Sequence, residues 1–312
     1  MTIATNQPLR HPSSRTFPKW SADGSKLLVE TGRRPTVIDR DLNEVAEIGP
    51  ENTWVTYPDW SPDGERITYS YRGLHGDQKE WHWGTYSSKP DGTDVKLMTA
   101  TGWRAQWSPD GQKVAYHLVK KDVPIRLAVM DRNGDNETVL STEARIGGMA
   151  WTPDSSAVVF ENWDGEGAQL YKVDLESKQK SRLIPGSHGS DKTAQFSPDG
   201  KSVLFERFHS EGRRNEIRLL DLESGKEALF AAPNRSNHDA AWSPDGKTVV
   251  FTSNTNEEDF DLYLVDGDGS NLRQLTDLPG DEYAPAWSPD GKSIAFYRNK
   301  PGSVKAVEVV DV

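Results

Sequence analysis

The segment APAWSPDGKSIAF, residues 284–296, recurs with small changes seven times along the chain. Its relatives are PKWSADGSKLLV, PDWSPDGERITY, AQWSPDGQKVAY, MAWTPDSSAVVF, AQFSPDGKSVLF and AAWSPDGKTVVF. The aromatic residues that mark the repeat are Trp20, Trp60, Trp107, Trp151, Phe196, Trp242 and Trp287, spaced 40 to 47 residues apart. Between them lie short runs rich in Val, Ile, Leu, Phe and Tyr, ended by Gly, Pro, Asp or Asn, and no sustained helical periodicity. A period in the forties with several short strands per unit is that of a β-propeller blade. One such sheet cannot cover its own two apolar faces and needs a neighbour on each side. Seven units closed into a ring supply those neighbours and hide most strand edges. The expected fold is all-β: a seven-bladed β-propeller of four-stranded antiparallel blades, with residues 1–312 forming one domain.

The motif reads as a folding device. Ser-Pro-Asp-Gly is a hairpin turn in which Pro presets φ, Asp bonds nearby amides and Gly takes the left-handed conformation. Ser155 replaces Gly in blade 4 and Ala22 replaces Pro in blade 1, so those two turns are expected to be the least regular. The aromatic before the turn ends strand a and should pack between adjacent blades. Blade 6 shows the whole unit: strands Asp239–Trp242, Thr248–Thr252, Asp261–Val265 and Leu272–Leu275. Its c–d turn, DGDGSN, has the D-x-D-G spelling of part of a calcium loop, but KPDGTD, DRNGDN and DLESGK fill the same slot elsewhere, so it reads as a hairpin turn. Blade 7 has chain left for strand c only. Residues near Thr2–Thr5 are therefore expected to add its outer strand and close the ring.

The chain carries a net charge of −11, which makes nucleic acid and anionic membrane surfaces poor partners. No apolar run is long enough to insert in a membrane, and cysteine is absent, which excludes disulfides, thiolate metal sites and a cysteine nucleophile. The cytosol is the expected compartment.

With its W-S-P-D-G units and DLYLVDGDGSNLRQLT ahead of the last one, the chain resembles the TolB-like family of WD-repeat-related propellers. The resemblance covers nearly the whole chain and implies the fold strongly and the function weakly. Related propellers occur in the Tol-Pal cell-envelope protein, in prolyl-oligopeptidase-type peptidases and in oligogalacturonate lyases. The extra N-terminal domain of the first is not expected here. Nor is the α/β-hydrolase domain of the second, since no G-x-S-x-G elbow appears.

In such a blade the a–b and c–d turns share one face, and the variable b–c and d–a loops share the other, where binding residues collect. All seven histidines and the five tryptophans outside the motif (Trp54, Trp81, Trp83, Trp103 and Trp163) map to or beside the variable loops. The longest loop is read as YRGLHGDQKEWHWGTY, residues 71–86. The d–a residues nearest strand a are Arg15, Tyr57, Trp103, Arg145, Lys192, His238 and Tyr283, a mixture of cations and aromatics that suits an anionic or hydroxylated ligand. Arg104, Trp163, His188 and His209 join them as candidate ligand-binding residues, with Trp81 and Trp83. A second set, Glu30, Ser70, His117, Glu161, Glu206, Thr252 and Tyr297, ends the b strands. It could supply carboxylate and imidazole ligands to Mn²⁺, Ca²⁺ or Zn²⁺, or its glutamates could pair locally, Glu30 with Arg33 and Glu206 with Arg213.

Two function classes follow. One is a stand-alone propeller that binds a protein, peptide or small, anionic or sugar-like ligand. The other is a lyase or hydrolase acting on an acidic carbohydrate, with or without a metal. In the second, His238, Tyr283 and His117 are the catalytic candidates, and Asp239 would orient His238.

Overall fold

The structure is a computed structural model describing residues 3–4, 17–73, 82–142, 145–163, 167–187, 189–209, 214–231, 235–254, 259–299 and 305–312. It contains seven four-stranded antiparallel sheets, the blades of a seven-bladed β-propeller. Two compact units divide the chain, Met1–Ile146 and Gly147–Val312. The seventh sheet runs in the order Ile3–Ala4, Ala306–Asp311, Ser293–Asn299, Asp281–Trp287, so an N-terminal strand completes the C-terminal blade. Among the described residues no helix is long and apolar enough to cross a membrane.

The repeated turn is held by its hydroxyl as much as by its glycine. In blade 2, Ser61 Oγ donates to Asp63 Oδ1 (2.6 Å) and accepts from the Arg66 amide (2.9 Å), while the Glu65 amide donates to Asp63 Oδ1 (3.1 Å). Gly24, Gly64, Gly111, Gly200, Gly246 and Gly291 take φ between 67° and 71°. Ser155 adopts φ 60° in the same turn, and Thr152 and Asp154 reproduce the hydrogen bonds at 2.7–3.0 Å. The blade 1 turn, with Ala22, keeps them too. Neither turn is irregular, because the hydroxyl–carboxylate network sets the geometry and the exceptional residue conforms to it.

Trp60, Trp107, Phe196, Trp242 and Trp287 wedge between their own blade and the preceding one. Trp60 packs among Leu28, Val37 and Ile48 of blade 1 and Ile67 and Tyr69 of its own blade, and its indole donates to Lys19 O at 3.0 Å. Trp287 repeats this in the second unit, donating to Ala241 O at 3.2 Å.

Strand a carries a feature with no letter signature. In five blades its pairing with strand b slips at one place, between Thr56 and Asp59, Trp103 and Gln106, Lys192 and Gln195, His238 and Ala241, and Tyr283 and Ala286. Within each slip the third residue before the motif aromatic is left-handed: Tyr57, Arg104, Thr193, Asp239 and Ala284 have φ of 52–58°. This β-bulge re-aims one side chain per blade near the loop-bearing end of strand a. It also moves the expected loop residues into strands. Tyr57, Trp103, Lys192, His238 and Tyr283 all lie within strand a, since the strand runs past the bulge.

Candidate functional site

Blades 2 and 3 bring five of the expected residues together. Blade 2 consists of strands Val55–Trp60, Ile67–Gly73, His82–Ser88 and Lys96–Thr99; blade 3 of Gly102–Trp107, Lys113–Leu118, Arg126–Asp131 and Thr138–Val139. Trp103 is their hub. It stacks on Trp83 with ring centroids 5.4 Å apart, and meets Tyr57 (5.3 Å) and His117 (5.7 Å) edge to face. The Arg104 guanidinium lies 4.9 Å above the Tyr57 ring. Tyr57 and Arg104 occupy the equivalent bulge position in consecutive blades, and their left-handed backbone directs both side chains here. Trp103 and His117 are cross-strand partners in register, which joins the strand a and strand b sets at this point. His117 is fully buried, whereas Tyr57, Trp83, Trp103 and Arg104 keep partial exposure. The Trp103 indole N–H is buried with no hydrogen-bond acceptor among the described residues, so an acceptor brought by a ligand would relieve a real cost.

The b–c loop of blade 2 is shorter than the expected 71–86. Strands b and c continue as a ladder through Arg72↔Trp83 and Gly73↔His82, leaving residues 74–81 as the connection. Trp81, together with Arg15, His188 and Arg213, lies outside the described residues.

The remaining candidates sit apart from this cluster. Lys192 Nζ lies 4.4 Å above the exposed ring of Trp163, and its register partner is Glu206. His209 Nε2 is 3.0 Å from Glu216 Oε2, in a knot with Arg214 and Arg218. Arg145 is exposed, just ahead of strand a of blade 4. Trp54, also exposed, lies under the Arg33 guanidinium at 5.7 Å.

The strand b carboxylates do something the sequence did not suggest. Glu161 Oε1 accepts from the Thr193 amide (3.0 Å), and Glu206 Oε1 accepts from the Asp239 amide (2.9 Å). Each glutamate thus caps the bulge amide of the following blade. Asp239 Oδ2 caps Ala284 in the same way (3.1 Å). Gly147 and Gly148 make room for Glu161, because a Cβ at either would fall 2.2 or 2.7 Å from its carboxylate oxygens.

These roles correct one expectation. Asp239 does not orient His238, because its carboxylate is turned to the next blade; Glu206 is the neighbour instead, with Oε2 3.3 Å from His238 Nδ1. The pairing expected between Glu206 and Arg213 lies outside the described residues; the described partners of Glu206 are the Asp239 amide and His238. Asn215 Nδ2 lies 2.8 Å from His238 Nδ1 and Ser236 Oγ 3.0 Å from Nε2, so protein groups occupy both ring nitrogens. Tyr283 has its pKa raised, first by burial and then by the charges of Asp239 and Asp281. Among the described residues no three His, Asp or Glu side chains gather as a set that could hold a metal ion. Glu161 and Glu206 are instead engaged with backbone amides of the following blade.

Comparison with known proteins agrees with the architecture. A family model described as the TolB β-propeller domain matches residues 3–195 and 192–309. An uncharacterized protein of Agrobacterium fabrum is 25% identical over 227 residues, which cover 68% of this chain and 75% of the relative. TolB from Acinetobacter baumannii aligns with a TM-score of 0.59 at 18% identity, over 94% of this chain and 75% of that one. An oligogalacturonate lyase in complex with manganese aligns with a TM-score of 0.57 at 16% identity, over 95% of this chain and 76% of that one. At such identities the two structures establish a common fold and nothing finer. The family model, matching almost end to end on a chain of seven four-stranded blades, does more: the chain belongs to the TolB β-propeller family.

Proposed function

We propose that this chain is a binding propeller whose protein, peptide or small-molecule ligand docks at the loop-bearing end of blades 2 and 3. One observation carries the reading: Tyr57, Trp83, Trp103, Arg104 and His117 form one aromatic–cationic cluster. Aromatic faces with a few convergent polar groups suit sugars, planar rings and peptide side chains. Binding stands ahead of lyase or hydrolase chemistry because protein groups hold His238 at both nitrogens and the surroundings of Tyr283 disfavour its ionised form.

The test is a titration of intrinsic tryptophan fluorescence against a panel of oligosaccharides, peptides and ring-bearing metabolites. A saturable response is expected from at least one class. Trp83→Ala and Trp103→Ala should abolish it, and Trp163→Ala should leave it intact. A ligand that binds both cluster variants with undiminished affinity places the site elsewhere and overturns the proposal.

A further inference from the structure

Several cations elsewhere in the first unit are held by carboxylates. Arg34, Arg66, Lys113, Lys120 and Arg132 each reach a carboxylate. Arg72, Arg104 and Arg126 form no ion pair among the described residues, and the buried Nε of Arg126 has no acceptor. In a chain of net charge −11, three guanidinium groups with no carboxylate partner among the described residues, brought to one place, call for a cause.

Strand alternation shows where they point. In blade 2, Tyr69, Tyr71 and Tyr86 pack toward blade 1. Their alternates Ser70, Arg72, Trp83 and Thr85 therefore face blade 3. The tight fit of Gly102, where a Cβ would meet Thr85 at 2.6 Å, confirms that direction. In blade 3, Tyr116, Leu118, Ala128 and Met130 pack with Met98 of blade 2, so Arg126, two residues before Ala128, faces blade 2. Arg72 pairs with Trp83 in register, and Arg126 begins strand c at the same end of its sheet. Arg72 and Arg126 thus enter the blade 2–3 junction from opposite sides beside Trp83 and Trp103, while Arg104 lies on Tyr57 at its inner edge.

We infer that this junction is an oxyanion site: it takes a ligand in which two or more carboxylate or phosphate charges are attached to a ring that stacks on Trp83. Guanidinium forks match both oxyanions in bidentate geometry, and the unpartnered Trp103 N–H adds a neutral donor. A cationic ligand is disfavoured, because Arg104 already covers the Tyr57 face and no carboxylate among the described residues of the cluster would meet it. The inference rests on the proposed binding role of the cluster and specifies what that role selects.

Calorimetric titration of the full chain at low salt tests it with four probes: ADP and a tri-uronide, which carry charged rings, and their uncharged counterparts adenosine and maltotriose. At least one charged probe is expected to bind at least tenfold tighter than its counterpart, and which one responds separates phosphate from carboxylate. Arg72→Gln with Arg126→Gln should weaken that probe tenfold or more and flatten its salt dependence, while the melting temperature stays within about two degrees. Equal affinity for charged and uncharged probes, or a charged probe indifferent to the double substitution, overturns the inference. An uncharged probe binding where both charged ones fail removes the oxyanion and leaves the binding reading standing. Silence from all four also removes the oxyanion, and the binding reading falls only if the wider fluorescence panel is silent as well.

Discussion

Ser155 holds φ 60° in a position where the other six turns have glycine. A Cβ in the left-handed region costs about 1–2 kcal/mol, partly offset by the greater entropy that glycine loses on folding. Ser155→Gly should therefore stabilise the protein by about 0.5–1 kcal/mol, read as a higher urea midpoint at unchanged slope. No change would mean that the hydroxyl–carboxylate network absorbs the strain. The tryptophans divide on the same scale. Trp60 is buried between two blades and donates to Lys19 O, so Trp60→Ala should cost about 3–5 kcal/mol. Trp83 keeps partial exposure, and Trp83→Ala should cost about 1 kcal/mol or less in a denaturant melt. Equal losses would make the cluster a piece of core. The repeat alone separates motif from non-motif tryptophans. It does not tell which of the others meet.

Among the strands, the bulge of strand a organises most of what was found. Tyr57, Arg104, Thr193, Asp239 and Ala284 share no residue type, because the bulge is imposed by pairing and by the preceding blade, not by a local propensity. Its amides in the second unit are satisfied by Glu161, Glu206 and Asp239. Glu206→Ala would leave the buried Asp239 amide without an acceptor and should cost about 1–3 kcal/mol. Glu206→Gln retains a carbonyl oxygen and should cost much less. Matching denaturant midpoints for the two variants would show that the charge next to His238 matters more than the cap.

At the level of the whole chain, opposed titrations shape stability. Hydrogen bonds from the Ser21 hydroxyl and Ser25 amide lower Asp23 to about 2, and those from the Thr152 hydroxyl and Ser156 amide lower Asp154 to about 2. A depressed carboxyl contributes stability that is present above its unfolded value, near 3.9, and lost as pH falls toward 2. Glu282 moves the other way. Burial, followed by the charge of Asp261, raises it to about 7, although the Thr276 hydroxyl bonds it at 2.7 Å and opposes the rise. Its contribution is complete below the unfolded value of 4.5 and lost as pH rises through 7. The melting temperature should be highest near pH 4 to 5, decline between about pH 5 and 7, and level off above 7. Glu282→Gln should flatten that upper limb, a difference on the order of 1–3 kcal/mol at pH 8. An upper limb identical in the variant would assign the decline to another group.

The repeat itself determined the number of blades, the strand a–turn–strand b unit and the interblade wedge, because a tight turn and a buried aromatic each demand particular residues at fixed spacing. The extra strand near the N-terminus was legible too, from the strand that blade 7 lacked. Only tertiary structure decided the site. Tyr57, Trp83, Trp103 and Arg126 are far apart in sequence, and strand register, alternation and the left-handed bulge bring them to one junction. The same holds for Glu161 and Glu206, whose partners are backbone amides of the next blade. A backbone amide has no letter, so no reading of side chains could have found what those carboxylates hold.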